Sequence, residues 1–328
     1  MTSKVAFHPK QHWHHLRREE IVRVRIFGPK GHYPRGRLCL PSGFYYADDR
    51  MALLVTKGYC WQHHLKDCGF DEFESPFPAE AIFMGTMILC EKPDEPRNRL
   101  YPLHAPILQL DPNTVDLADS RSQDDVLQLI RNVDGWPVNP ASRDYYAANL
   151  FSTDLQLFDS DSLDLDSLFR TWSRITPSNF VLIRGLVALM KSDMLAEHQE
   201  FGAEALMTLY IALECSYQLI LEHLTKSGTP NPSASDAARW MHDVFDQHWD
   251  VEDPEPTYKY FQEFYEGRVV MFHPRSRFGD LPYAPNFWDD VMHLRAALPG
   301  IFYYLVNGRH SPAFLASVDE FRRTRGAT

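Results

Sequence analysis

The first third of the chain alternates apolar and polar residues with a period of two, which is typical of half-buried β-strands. The clearest example is IVRVRIF at residues 21–27, where valine and isoleucine alternate with arginine. Four more apolar runs follow, separated by glycine, proline and aspartate: GRLCL, GFYYA, MALLVTK and AIFMGTMILC. The pattern predicts an antiparallel, β-rich domain over residues 1–150.

Beyond residue 160 the apolar residues recur at intervals of three and four, which predicts helices. Six long segments have this pattern, from DSLDLDSLFRTWSRI to NFWDDVMHLRAALPGIFYYLVNG. An earlier helical pattern, SQDDVLQLIRNV, has Ser122 and Asp125 at the spacing of a capping box. The chain is therefore predicted to be α+β, with a helical bundle over residues 151–328 that folds separately from the N-terminal domain.

Composition and charge narrow the class of protein without excluding a nucleic-acid partner. With 44% hydrophobic and 23% charged residues, the chain is typical of globular proteins. Its net charge is −11, yet residues 111–166 hold twelve aspartates against three arginines, so the remainder is close to balanced. Short basic runs such as RVVMFHPRSR retain the charge needed to contact phosphate.

The cysteine count and the hydropathy of the chain indicate its compartment. Five cysteines and a first segment without an apolar signal core favour a reducing cytoplasm. The segment nearest to membrane length, residues 205–224, contains Glu214, Gln218, Glu222 and His223. We therefore expect it to be a bundle helix, and we expect no membrane contact.

Most motifs that carry catalytic chemistry are missing from the sequence. There is no GxSxG elbow, no HExxH pair, and neither a phosphate loop nor a dinucleotide fingerprint. The run CWQHHLKDC offers cysteine and histidine, which zinc accepts, but it lacks the paired CxxC form of a structural zinc site. We therefore predict neither a metal nor a cofactor.

One arginine and one histidine break the pattern of the fifth helical segment, which contains YFQEFYEGRVVMFHP. Arg268 falls one turn after Phe264 and one turn before Phe272, on an apolar stripe where a guanidinium needs a partner or a ligand. Pro274 disfavours helical backbone at the preceding residue, so the helix should end near Phe272 and leave His273 in a connector. The ring of His273 can then turn back toward Arg268.

Glu214 is the predicted partner of this arginine. It lies on the long helical segment over residues 199–226, one turn after Tyr210 and near Tyr217, on the predicted apolar face. Two helices of one bundle, each with one opposite charge on its buried face, suggest a partly desolvated Glu214–Arg268 pair. The alternative is a purely structural ion pair together with a histidine at a helix end.

Arg268 and His273 form an R-x4-H motif near the end of a predicted bundle helix, and an earlier helix carries ALECSYQLIL. This arrangement resembles the HEPN superfamily, whose members are small helical bundles with such a motif at this place. FYEGRVVMFHP is similar to the pattern of its Apea-like branch. The resemblance covers about residues 175–310 and departs from the family at Val269 and Pro274. It implies a metal-independent ribonuclease whose site forms at a two-fold dimer interface.

The resemblance also implies roles for individual residues. His273 moves protons at the ribose 2′-hydroxyl and the leaving oxygen, Arg268 stabilises charge on phosphorus, and Glu214 orients the arginine. The neighbouring residues predicted to contact RNA are Tyr265, Arg275 and Arg277.

The expected partners follow from this function. They are RNA, a second copy of the chain, and a phage component or cognate regulatory protein sensed by the N-terminal domain. The expected setting is that of a toxin or anti-phage defence effector. The competing hypothesis is a non-catalytic HEPN-like module of such a system, which dimerises or binds a nucleotide or a protein.

Overall fold

The computed structural model describes residues 20–59, 78–91, 98–131, 155–159, 165–249 and 288–326. The strands are β1 (Glu20–Phe27), β2 (His32–Pro34), β3 (Gly36–Leu40), β4 (Gly43–Ala47), β5 (Ala52–Tyr59), β6 (Pro102–Leu110) and β7 (Gln156–Phe158). The helices are α1 (Pro78–Leu89), α2 (Ser120–Arg131), α3 (Leu165–Arg174), α4 (Phe180–Ala196), α5 (Gly202–Lys226), α6 (Ala234–Val244), α7 (Trp288–Asn307) and α8 (Pro312–Gly326). An N-terminal sheet followed by a helical half confirms the predicted α+β class.

Strand β1 lies inside an antiparallel five-stranded sheet of order β3-β4-β5-β1-β6. The runs IVRVRIF, GRLCL, GFYYA and MALLVTK form β1, β3, β4 and β5, as their period-two pattern predicts. A second, two-stranded sheet pairs β2 with β7 in parallel. The chain therefore returns to the N-terminal strands after more than a hundred residues.

Both faces of β1 are buried, although its alternating pattern predicts one face toward solvent. Val22, Val24 and Ile26 pack on the side that α2 covers. Arg23 and Arg25 point to the other side, and each is only 1% exposed. Helix α1 packs against β5 on that side of the sheet and supplies the acid that the arginines need.

That acid is Glu80, a fully buried residue in the first turn of α1. Arg25 donates from Nη2 at 2.9 Å and from Nε at 3.1 Å to Glu80 Oε2. Nε of Arg23 lies 3.4 Å from Glu80 Oε1. Buried charges persist only where opposite charges and hydrogen bonds compensate their lost hydration, so this ion-pair cluster fixes α1 on the sheet.

The prediction of a strand for AIFMGTMILC is wrong, because this run forms most of α1. Pro78 occupies the first helical position, where a missing N–H costs nothing. Nearly every following residue of the helix is buried, since the sheet lies on one side and α3, α4 and α7 lie on the others. A short, uniformly apolar run has no periodicity, so the sequence cannot distinguish a buried helix from a buried strand.

Helices α1 and α4 approach closely at Gly85. A Cβ atom placed on Gly85 would lie 2.5 Å from Leu186 Cδ1 and 2.9 Å from Leu186 Cβ. Because Cβ of Leu186 is fixed to the backbone of α4, a rotamer change of this leucine cannot relieve the contact. The glycine thus sets the distance between the two helices.

We expect Gly85→Ala to lower the free energy of unfolding by about 1–3 kcal/mol, because the added methyl group forces α1 and α4 apart. Gly300→Ala is the matched control within α7: a Cβ there would meet only Phe245 Cε1, at 3.9 Å. This control should be neutral or stabilise by up to about 1 kcal/mol through helix propensity. Urea unfolding measures both variants, and equal effects would contradict the close contact at Gly85.

The described core continues across residue 150. One apolar cluster joins sheet residues such as Phe27 and Tyr45, α1 residues such as Phe83, and bundle residues such as Leu189 and Phe302. Strand β7 belongs to the second predicted domain, yet it pairs with β2 of the first. The division into domains of 1–150 and 151–328 stays a prediction, and this shared core couples the two parts.

The predicted helices within the described ranges form with small changes at their ends. The capping box at Ser122 and Asp125 is wrong: α2 begins two residues earlier, and Asp119 caps it by accepting from Ser122 N at 2.9 Å. Helix α8 is absent from the predicted helices, although its start signals are ordinary: Pro312 is its first residue, and Ser311 Oγ caps it by accepting from Phe314 N. The fifth predicted helical segment, residues 256–272, lies outside the described residues.

Candidate functional site

Glu214 is the one predicted site residue that the structure describes. The other five lie outside the described residues: Tyr265, Arg268, His273, Arg275 and Arg277. Their roles stay predictions. For the predicted site, the structure describes the helix that carries Glu214 and the helices that pack around it.

Glu214 lies on the exposed side of α5, so the prediction that it shares the buried face is wrong. The exposed residues in the middle of this helix follow one line at helical spacing: Ile211, Glu214, Gln218 and Glu222. Tyr210, one turn earlier, is buried. Residues four apart on an α-helix differ by about 40° in direction around the helix axis. This rotation from Tyr210 to Glu214 turns Glu214 away from the side of α5 that contacts α4 and α7.

The exposure of Glu214 changes what its carboxylate can do. Gln218 Nε2 lies 3.4 Å from Glu214 Oε1, a contact along the helix surface. An ion pair at an exposed position contributes about 0.2–1 kcal/mol, so the cost of breaking a buried pair does not apply here. The side chain of Glu214 therefore belongs to the surface of the described bundle and not to its core.

Helix α5 holds Glu214 in a fixed place because its other side is tightly packed. A Cβ on Gly185 of α4 would lie 2.6 Å from Phe302 and 3.2 Å from Cys215 Cβ, so the three helices meet without spare room. Burial raises the pKa of the Cys215 thiol to about 11 and the pKa of Tyr210 to about 12. Neither group ionises near neutral pH, so neither is a candidate nucleophile.

A cavity of about 460 Å³, here called the C-terminal cavity, opens between α6, α7 and α8. Its aromatic lining comes from Phe245, Trp249 and Phe314. Its charged or titratable lining comes from Glu91, Asp246, His293 and Arg295. Trp249 directly precedes residues 250–287, which contain the R-x4-H motif, so this cavity is adjacent to the motif in the sequence.

Arg295 is a buried charge that the sequence reasoning missed. Its Nε lies 2.7 Å from Asp193 Oδ1, and its Nη2 lies 3.3 Å from Glu91 Oε1. Burial opposes the charged form, but the two carboxylates outweigh it and raise the pKa of Arg295. Because two carboxylates bind the guanidinium, Arg295 links α7 to α4 and to the end of α1. We therefore assign it a structural role and not phosphate binding.

The same signal that singled out Arg268 was available for Arg295. In WDDVMHLRAAL the arginine follows Val291 by one turn and adjoins Leu294, both of which are buried. A charged residue on an apolar stripe therefore predicts a buried charge that has partners. For Arg295 these partners are carboxylates, and the contacts form a structural ion pair.

His310 lies beside the C-terminal cavity in a group of aromatic rings. It stacks on Phe314 with 4.3 Å between ring centroids, and His248 contacts it edge-on at 4.8 Å. Burial, followed by the neighbouring His248, lowers the pKa of His310 to about 4. The ring is neutral at pH 7 and cannot donate a proton as an imidazolium, so it does not duplicate the role predicted for His273.

Within the ranges that the structure describes, no three histidine, cysteine, aspartate or glutamate side chains group as metal ligands would. The CWQHHLKDC run, with Cys60, His63, His64 and Cys68, lies outside these ranges.

Comparison with models of known protein families, with curated proteins and with solved structures found no significant match. In the part of the chain that the structure describes, no helix combines the length and apolar character needed to cross a membrane.

Proposed function

We propose that this chain is a metal-independent endoribonuclease of the HEPN type, which cleaves RNA through the 2′-hydroxyl of its substrate. The observation that carries the proposal is the Arg268-x4-His273 motif, located between α6 and α7 in a half of the chain that is helical. Glu214, on the exposed side of α5, lies in the same half. An arginine and a histidine are sufficient for this reaction, because RNA brings its own nucleophile.

The proposed reaction is an internal transesterification. His273 takes the proton of the 2′-hydroxyl, and the O2′–P bond forms while the P–O5′ bond breaks. The proton then goes to O5′, so the products are a 2′,3′-cyclic phosphate and a 5′-hydroxyl. Arg268 stabilises the negative charge that develops on the phosphoryl oxygens, and Glu214 orients Arg268. Tyr265, Arg275 and Arg277 contact the RNA backbone and a base.

A homodimer is part of the proposal, because two copies of the motif around one cleft supply two arginines and two histidines. The exposed line of α5 supports it: Ile211 is 38% exposed and lies one turn from Glu214, so an apolar and a charged side chain face outward together. This line is accessible to a second copy of the chain.

Regulation by the N-terminal part completes the proposal. The sheet and the helical half share one described core, and α1 contacts both of them. A ligand or protein that displaces α1 therefore changes the packing of α4 and α7. We propose that the chain acts in this way as a toxin or an anti-phage defence effector.

The test is cleavage of single-stranded RNA by the purified full-length protein in EDTA. We expect cutting that leaves a 2′,3′-cyclic phosphate and a 5′-hydroxyl, identified by mass spectrometry of the products. An oligonucleotide of the same sequence with 2′-deoxyribose at the cut site should not be cut there, because its nucleophile is missing. Cleavage of DNA at an equal rate, or loss of cleavage in EDTA, would contradict the proposed mechanism.

The same purified protein also distinguishes the nuclease from the competing, non-catalytic function. A dimer that binds RNA, a nucleotide or a protein without cleaving RNA would support a non-catalytic HEPN-like module. A strict monomer at micromolar concentration, measured by light scattering against the 38.1 kDa chain mass, would contradict the composite site.

A further inference from the structure

A second cavity, of about 330 Å³, lies where the sheet meets the turn between α4 and α5. We call it the sheet–helix cavity. Arg25 of β1 and Tyr101, just before β6, line the sheet side. Lys191 and Met194 of α4, together with His198 and Phe201 of the following turn, line the helix side. None of these residues belongs to the proposed nuclease site.

The polar lining of the sheet–helix cavity is basic: it includes Arg25, Lys191 and His198. No aspartate or glutamate is among the described residues that line it, and Glu80, which pairs with Arg25, is not part of the lining. Lys30 Nζ lies 3.4 Å from His198 Nδ1, which brings a second ammonium group to the rim. The nearest carboxylate in sequence, Glu197, is paired with Arg99 at the surface. The cavity thus favours a ligand with negative charge.

The cationic groups differ in their freedom to move. Arg25 is held by Glu80 and is 1% exposed, so it forms a rigid wall rather than a mobile contact. Lys191 and Lys30 are exposed, and their long side chains can reach an anion at the mouth. The ammonium groups of Lys191 and Lys30 and the imidazole of His198 lie between the rigid Arg25 and solvent. This arrangement is well suited to bind a phosphate group.

The remaining lining suits a planar, apolar body. Tyr101 and Phe201 are aromatic, and Met190 and Met194 are flexible side chains that adapt to a ring. Phe201 is 42% exposed, and His198 contacts it edge-on with 5.7 Å between centroids. Stacking of a nucleobase on an aromatic side chain contributes about 1–3 kcal/mol. The volume is at the small end of ligand cavities, which fits one nucleotide and not an oligonucleotide.

We propose that the sheet–helix cavity binds a free nucleoside monophosphate, with its phosphate at Lys191, Lys30 and His198 and its base on the Tyr101 and Phe201 side. This inference goes beyond the nuclease and does not depend on it. Arg25, which lines the cavity, is held by Glu80 of α1, so an occupant lies beside a residue of the junction that couples the sheet to the bundle.

Isothermal titration of the full-length protein tests the proposal with three probes: 5′-AMP, adenosine and orthophosphate. We expect 5′-AMP to bind, and the other two to bind at least tenfold more weakly, because each supplies only half of the recognised chemistry. Equal affinity for adenosine would contradict a phosphate contact, and equal affinity for orthophosphate would contradict a base contact. Absence of 5′-AMP binding at millimolar concentration would overturn the proposal.

Variants locate the binding. Lys191→Ala and His198→Ala should each weaken 5′-AMP binding about tenfold, and Met194→Trp should remove it by filling the cavity. Lys226→Ala is the matched control, because this exposed lysine of α5 does not line the sheet–helix cavity and lies 4.0 Å from Glu222. Thermal melts confirm that each variant folds. Binding that persists in Lys191→Ala and His198→Ala but is lost in Arg268→Ala would assign 5′-AMP to the nuclease site and overturn this inference.

Discussion

The variant His273→Ala should reduce RNA cleavage by at least about 100-fold, because a positioned acid–base group contributes about 10²–10⁴ in rate. The proposed reaction has one proton to remove and one to deliver, and no other group has been assigned to move them. The expected change is in turnover rather than in substrate binding, since the imidazole acts on the reacting oxygens. Single-turnover cleavage of a labelled RNA, with enzyme in excess, measures this rate directly.

Matched substitutions separate this catalytic role from a structural one. His223→Ala removes a histidine of the same bundle, one that packs edge-on against Trp240, and should keep normal cleavage. Glu214→Gln should lower turnover, while Glu222→Gln, on the same exposed line of α5, should not. Cleavage by His273→Ala at the wild-type rate would remove His273 from the mechanism.

For Glu80→Gln we expect a loss of about 3–5 kcal/mol in the free energy of unfolding, the cost of leaving buried charge without its partner. The substitution keeps the shape of the side chain but removes the negative charge that Arg25 and Arg23 share. Chemical denaturation monitored by circular dichroism gives the value. Glu200→Gln, at an exposed position in the turn before α5, is the control and should change stability by less than about 0.5 kcal/mol.

A double-mutant cycle distinguishes loss of the ion pair from loss of packing. Replacing Arg25 and Glu80 together by methionine should cost less than the sum of the two single replacements, because Arg25 is then no longer left buried without its carboxylate. Arg23 loses Glu80 in the single and the double variant alike, so its contribution cancels in the cycle. Additive losses would show that the 2.9 Å contact contributes no coupling energy.

The sequence predicted the sheet and the bundle because their periodicities differ and their ends carry turn and cap residues. It failed at α1, where burial on every side removes the periodicity that identifies a helix. It also predicted a half-buried strand for β1, since a glutamate 55 residues away from Arg25 cannot be recognised from spacing as the partner of its arginines.

For the candidate site, too, the sequence predicted some features correctly and missed others. The pattern placed Glu214 on the correct helix but on the wrong side, because a rotation of about 40° separates a buried position from the exposed position one turn later. Arg295 carried the same stripe signal as Arg268, and its partners Asp193 and Glu91 lie on other elements. The sheet–helix cavity had no sequence signal at all, since its walls come from β1, α4 and the residue before β6.

The position of α1 has a consequence for the order in which the chain acquires its structure during synthesis. This helix leaves the ribosome before α4 and α7, which cover the side that faces away from the sheet, and the Arg295–Glu91 contact joins residues 204 positions apart. Contacts of such long range form slowly, because the loops between them must close first. The nascent chain therefore carries α1 with only its sheet side covered until α4 and α7 have been made, and the apolar surface left open is of the kind that chaperones bind.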